Sequence, residues 1–145
     1  MLCGACVLVA EDECIIAMDL ADLFENAGAT VIGPAATVRE ALQLISAERV
    51  DRAFLDFNLA DGEVTPVLEM LSCKGVPMII YTGGGLPPEL ASRYPRVTVL
   101  RKPVCHTRLV AELAAAKGAM ATAACVTGHP VPCGPDATRA NNLGP

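Results

Sequence analysis

The sequence predicts an α/β domain built on a five-stranded parallel sheet with helices on both faces. Three observations carry this. Short β-rich runs alternate with longer segments of helical periodicity. Hydrophobic residues make up 52% of 145 residues, enough for one buried core but short for two. Four of the β-rich runs end in a polar residue of a different kind: Val7-Leu8-Val9-Ala10-Glu11-Asp12, Ala53-Phe54-Leu55-Asp56, Met78-Ile79-Ile80-Tyr81-Thr82 and Val97-Thr98-Val99-Leu100-Arg101-Lys102-Pro103. In one parallel sheet those ends meet at a single edge, where open α/β sheets bind their ligands.

Each element follows in order. After the first strand, Ile15, Ile16, Met18, Leu20, Leu23 and Phe24 recur at near-helical spacing, and Gly28 ends the segment as a C-cap. Thr30-Val31-Ile32-Gly33 is the second strand, running into Pro34. Thr37-Val38-Arg39-Glu40 reads as a capping box, with Ala41, Leu42, Leu44 and Ile45 as the buried face of the second helix. The third strand ends at Asp56, and Asp61-Gly62 marks a turn before a helix from Val64 to Cys73, closed by Lys74-Gly75. Pro77 to Thr82 is the fourth strand. Gly83-Gly84-Gly85 and Pro87-Pro88 then leave room only for a short helix around Glu89 to Tyr94. Val97 to Leu100 is the fifth strand, and a last helix spans Thr107 to Lys117. Periodicity stops near Gly118, so residues 118–145, rich in Ala, Thr, Gly, Pro and Asn, are expected to be a flexible tail after a domain over residues 5–117.

Composition excludes several classes. A formal net charge of −5, no Lys/Arg stripe and 3% aromatics speak against a nucleic-acid surface. No apolar run reaches membrane-span length, and Glu11, Asp12 and Glu13 follow the first apolar run at once, unlike a signal peptide. A cytoplasmic setting is expected. Seven cysteines are an odd number, which argues against a regular disulfide framework. Cys3-Gly-Ala-Cys6 has redox or metal spacing but precedes a strand, so small hydrophobes near a strand start are the better reading. Cys125, His129 and Cys133 match no standard zinc spacing.

Taken together, the acidic pair Glu11-Asp12, Asp56 ending the third strand, Thr82-Gly83 after the fourth and Lys102-Pro103 after the fifth resemble the receiver domains of two-component response regulators. The resemblance covers about residues 5 to 117. It implies a flavodoxin-like doubly wound sheet in the order 2-1-3-4-5, with Asp56 as phosphoacceptor. The chemistry of such an edge is coherent. A carboxylate held rigidly at the sheet's rim can act as nucleophile toward phosphorus. Mg²⁺ neutralises phosphoryl charge through hard oxygen ligands, which Glu11, Asp12 and Asp56 are placed to supply. The resemblance adds the backbone carbonyl of Asn58 as a further ligand, Lys102 as a charge on the phosphoryl oxygens and Thr82 as a hydrogen-bond donor to one of them. It also makes Lys102-Pro103 a candidate cis peptide.

Two departures stand out. The Tyr or Phe that receivers often carry three residues before the lysine is Val99 here. Tyr81 and Tyr94 do not take its place, since strand alternation sends Tyr81 to the face opposite Thr82. The triglycine stretch is costly to order and resembles the loosened fourth helix of a stand-alone subgroup carrying Phe-Ala-Thr-Gly, where this chain has Ile80-Tyr81-Thr82-Gly83. Such a loop is expected to gain order when Thr82 contacts a phosphoryl group. The resemblance thus implies a single-domain response regulator phosphorylated by a histidine kinase or phosphotransfer protein. It would signal by binding a downstream protein, with a homodimer open as well, or act as a diffusible phosphate shuttle or sink. Two other classes compete: an interaction module working without phosphorylation, and a metal-dependent phosphatase. The phosphatase lacks a second Asp two residues after Asp56, where Asn58 cannot act as general acid.

Overall fold

The computed structural model describes residues 2–116. Lys117, the tail over 118–145 and its Cys125, His129 and Cys133 lie outside the described residues. In chain order the elements are β1 (Cys6–Ala10), α1 (Cys14–Asn26), β2 (Thr30–Ala35), α2 (Val38–Ala47), β3 (Arg52–Asp56), β4 (Asn58–Leu59), β5 (Gly62–Glu63), α3 (Thr65–Cys73), β6 (Met78–Thr82), α4 (Pro88–Arg93), β7 (Thr98–Arg101) and α5 (His106–Ala115). The main sheet runs β2-β1-β3-β6-β7 with every pair parallel. Counting only its own strands, this is the 2-1-3-4-5 order of a flavodoxin-like fold. The crossover from β1 out to β2 and back to β3 puts the ends of β1 and β3 side by side.

Alternation along the strands builds two cores. Val7, Val9, Phe54, Ile79 and Leu100 face α1 and α5, meeting Leu20, Phe24, Leu109 and Leu113. Leu8, Ala53, Leu55, Met78 and Ile80 face the other way, onto Ala41 and Ile45 of α2 and Val67, Leu68 and Leu71 of α3. With both faces covered, the central strands are apolar throughout, as parallel sheets require. Phe54 lies at the centre, its ring 5.1 Å from Phe24 and 5.3 Å from Tyr81. Such full burial contributes about 1.5–3 kcal/mol per large side chain. Arg52, at the start of β3, donates to the carbonyls of Leu113 and Ala116 and so caps the C-terminal end of α5.

Several element boundaries differ from the sequence reading, most of them by one or two residues: α3 begins at Thr65, β6 at Met78, and α5 is His106–Ala115. β2 does not stop at Gly33 but continues through a cis Gly33-Pro34 bond to Ala35, with a register shift opposite Leu8 and Ala10. An edge strand tolerates the missing proline N–H. Only glycine suits position 33, where φ is +102° and a Cβ would meet the Ala35 nitrogen at 2.8 Å. β7 lies one residue later than expected, and α4 is six residues long and begins at Pro88. At the turn read from Asp61-Gly62 the structure has a small antiparallel hairpin, β4–β5, in which Asn58 pairs Glu63 and Leu59 pairs Gly62.

That hairpin is tied to the start of α2. Thr37 Oγ1 accepts from the Glu40 amide at 3.0 Å, the expected cap, while Glu40 reaches back to the Ala36 amide at 2.8 Å. Asp61, at the hairpin tip, accepts from the amides of Val38 at 2.6 Å and Arg39 at 3.2 Å. The Ala60 amide adds a bond to the Ala36 carbonyl. A carboxylate on two unpaired helix amides is favoured in its charged form. The Val38 bond above all holds the Asp61 carboxyl below its usual 3.8. A depressed folded-state pKa stabilises the fold above the unfolded value and loses that stabilisation as pH falls through the folded one. Asp61→Asn, which keeps an acceptor but not the charge, should therefore unfold at lower urea than wild type at pH 7. That gap should narrow as pH drops below 3.8. A gap of constant size down to pH 3 would contradict the charged cap.

Candidate functional site

The edge formed by the C-terminal ends of β1, β3, β6 and β7 gathers most of the residues singled out from the sequence. Parity explains which face each takes. Val9 and Phe54 are register partners facing α1 and α5, so Glu11 and Asp56, each two residues on, continue along that face. Asp56 is the register partner of Tyr81, and Tyr81 of Leu100. Lys102, two residues past Leu100, shares their side. Thr82 falls on the opposite parity.

Glu11 is buried at 2% exposure. Its Oε2 accepts from the Glu13 amide at 3.1 Å, while Oε1 makes no hydrogen bond and faces Lys102 Nζ at 3.8 Å. Lys102 Nζ also lies 3.5 Å from Asp56 Oδ2. Burial pushes the Glu11 carboxyl up to about 7, helped by the Asp56 charge and opposed by the Glu13 amide and Lys102. Asp12 is exposed at the mouth, and ligand atoms of Glu11, Asp12 and Asp56 all lie within 4.8 Å of one another. Three carboxylates this close, one with a buried oxygen lacking a hydrogen bond, fit a hard divalent cation of the Mg²⁺ type.

Thr82 is buried at the end of β6, its Oγ1 accepting from the Gly84 amide at 3.2 Å. Its carbonyl accepts from the Lys102 amide at 2.9 Å, which fixes the backbone of the lysine beside it. Asn58 is not part of the carboxylate cluster. It opens β4 two residues past Asp56, with the Phe57 carbonyl held by the Val64 amide at 2.8 Å. The Lys102-Pro103 bond is cis. Val99 lies partly buried against the α2/α3-side core, which also takes in Leu86, Leu90 and Tyr94. Cys3 is an exposed free thiol, and Cys6 is the first residue of β1.

Sequence reasoning missed one member of this neighbourhood, Tyr81, and one contact away from it, that of Asp61 with α2. Alternation puts Tyr81 and Thr82 on opposite faces, and Glu11, Asp56 and Lys102 share the parity of Tyr81, so it borders the cluster. The Lys102 ammonium stands over its ring, 5.3 Å from the centroid. Counting alternate residues from Phe54 and Leu100 was the available signal. The sequence marks Asp61 only as a turn residue, and nothing local marks its reach across to α2.

Similarity to known proteins agrees with this arrangement. No family model matches the chain. Over 79 residues it is 40% identical to the Phyllosphere-induced regulator PhyR of Methylorubrum extorquens, a stretch covering 52% of this chain and 30% of that protein. The chain thus spans about a third of the length of the curated relatives it matches. Among solved structures, SdrG from Sphingomonas melonis Fr1 is 34% identical with a TM-score of 0.64, over 77% of this chain and 94% of that one. A CheY-like response regulator receiver domain protein from Methanospirillum hungatei is 25% identical with a TM-score of 0.69, over 77% of this chain and 91% of that one. Strand order, edge chemistry and these likenesses agree: the chain belongs to the receiver domains of two-component response regulators.

Proposed function

We propose that this receiver accepts a phosphoryl group on Asp56 from a histidine kinase or phosphotransfer protein, in a Mg²⁺-dependent step, and signals through contact with a downstream protein. The observation that carries the reading is the Lys102 ammonium bracketed by Glu11 at 3.8 Å and Asp56 at 3.5 Å, with Asp12 beside them. A carboxylate oxygen of Asp56 attacks phosphorus as the bond from phosphorus to the donor imidazole nitrogen breaks, and the electron pair of that bond returns to the imidazole. Glu11, Asp12, Asp56 and the Asn58 carbonyl would hold the metal, which supplies charge neutralisation on the phosphoryl oxygens. Lys102 balances the remaining charge, and the Thr82 hydroxyl turns from its Gly84 contact to donate to a phosphoryl oxygen.

Receiver chemistry is taken to occupy residues 5–117. Among the described residues no helix is long and apolar enough to cross a membrane. The ordering expected of the triglycine loop belongs to this same step. A receiver-like module working without phosphorylation keeps some support from Val99, which removes the usual aromatic from the switch position.

Incubation with Mg²⁺ and acetyl phosphate should give a phosphoryl adduct by intact mass, absent in Asp56→Asn. An adduct that persists in Asp56→Asn would remove Asp56 as acceptor. No adduct from acetyl phosphate or from a phosphorylated histidine donor would favour the interaction module. Lys102 competes with a cation for the same carboxylates. Lys102→Met should therefore tighten Mg²⁺ binding by about three- to tenfold while slowing phosphorylation. Weaker Mg²⁺ binding in that variant, measured by calorimetry, would contradict a shared carboxylate set.

A further inference from the structure

We propose that Tyr81 is a positioning residue for Lys102, clamping the lysine and the loop after it over the reacting edge. This deepens the phosphoacceptor reading and rests on it. Three contacts converge on the one side chain. The ring face meets the Lys102 ammonium at 5.3 Å. The hydroxyl oxygen accepts from the Val104 amide at 3.3 Å, two residues further along the same loop. Behind, the ring is tilted at 49° against Phe54, 5.3 Å away and itself fully buried. Tyr81 thus stands on a rigid part of the core and touches the lysine loop at both its charged end and its backbone.

The lysine needs such support. Its side chain is 30% exposed and has four rotatable bonds, so two carboxylates at 3.5 and 3.8 Å fix its reach but not its direction. Once a metal and a phosphoryl group share those carboxylates, both anchors weaken. The aromatic face does not compete for either, and it keeps the ammonium beside Asp56, the register partner of Tyr81. A small residue before Thr82 would leave this support out. The sequence Ile80-Tyr81-Thr82 supplies it.

The test compares Tyr81→Leu and Tyr81→Phe with wild type, using acetyl phosphate and Mg²⁺. Tyr81→Leu should slow adduct formation about tenfold without weakening Mg²⁺ binding, and Tyr81→Phe, which keeps the ring, should slow it less. In a Lys102→Ala background the Tyr81→Leu effect should vanish, which a merely structural role would not produce. In wild type the Lys102 ε-methylene protons should resonate upfield under the ring, and Tyr81→Leu should move them back. Tyr81→Leu phosphorylated as fast as wild type, or slowed equally in Lys102→Ala, overturns the inference while leaving Asp56 as acceptor. No adduct in wild type overturns the acceptor reading, and the positioning role with it. An adduct without the upfield shift overturns the clamp alone.

Discussion

A single ammonium between two carboxylates organises this edge. Glu11 is almost wholly removed from water, and a carboxylate so placed is costly unless charge or hydrogen bonds compensate it. Compensation is partial here. The Glu13 amide serves one oxygen and Lys102 approaches the other, yet the carboxyl is still pushed up to about 7. The apolar sheet that makes the site rigid is also what desolvates it. The same dry surroundings strengthen every interaction an incoming dication or phosphoryl group would make there.

The two sides of the edge are held to different degrees. After Asp56 the chain is pinned by the Val64 amide on the Phe57 carbonyl, by the β4–β5 pairing, and by Ala60 and Asp61 on the start of α2. After Thr82 it runs through three glycines, with the Gly84 amide on the Thr82 hydroxyl and the Arg101 guanidinium 3.0 Å from where a Gly85 Cβ would sit. The proposed attack on phosphorus would need a fixed nucleophile, and the pinned chain after Asp56 would hold it. A segment that reports the event must be able to rearrange, which three glycines permit. With Val99 in place of an aromatic, Tyr81 below Lys102 and the loop after Thr82 are the routes that the proposed function leaves for a change at the site to reach the surface.

Much of this was legible in the residues. The five main strands, their polar ends and the Thr37 cap depend on period-2 alternation and local side-chain chemistry, which sequence displays directly. The positions of Glu11, Asp12, Asp56 and Lys102 at one edge followed from strand ends meeting in a parallel sheet. What was hidden depended on contacts distant in sequence. Asp61 meets Val38 across 23 residues, and Tyr81 meets Val104 across another 23. The continuation of β2 through Pro34 required knowing that β2 is an edge strand beside a register shift. The burial of Glu11 depended on packing that no run of residues announces.

The proposed cation-and-phosphoryl site is a single one, formed where the ends of β1, β3, β6 and β7 meet. Titrating labelled protein with Mg²⁺ and beryllofluoride, a phosphoryl mimic, tests it by amide chemical shifts. Saturable changes should concentrate at residues 11–13, 56–58, 82–85, 101, 102 and 104, with far smaller changes at the opposite ends of the same strands. Shifts that fail to saturate, or that cluster away from that edge, would contradict it.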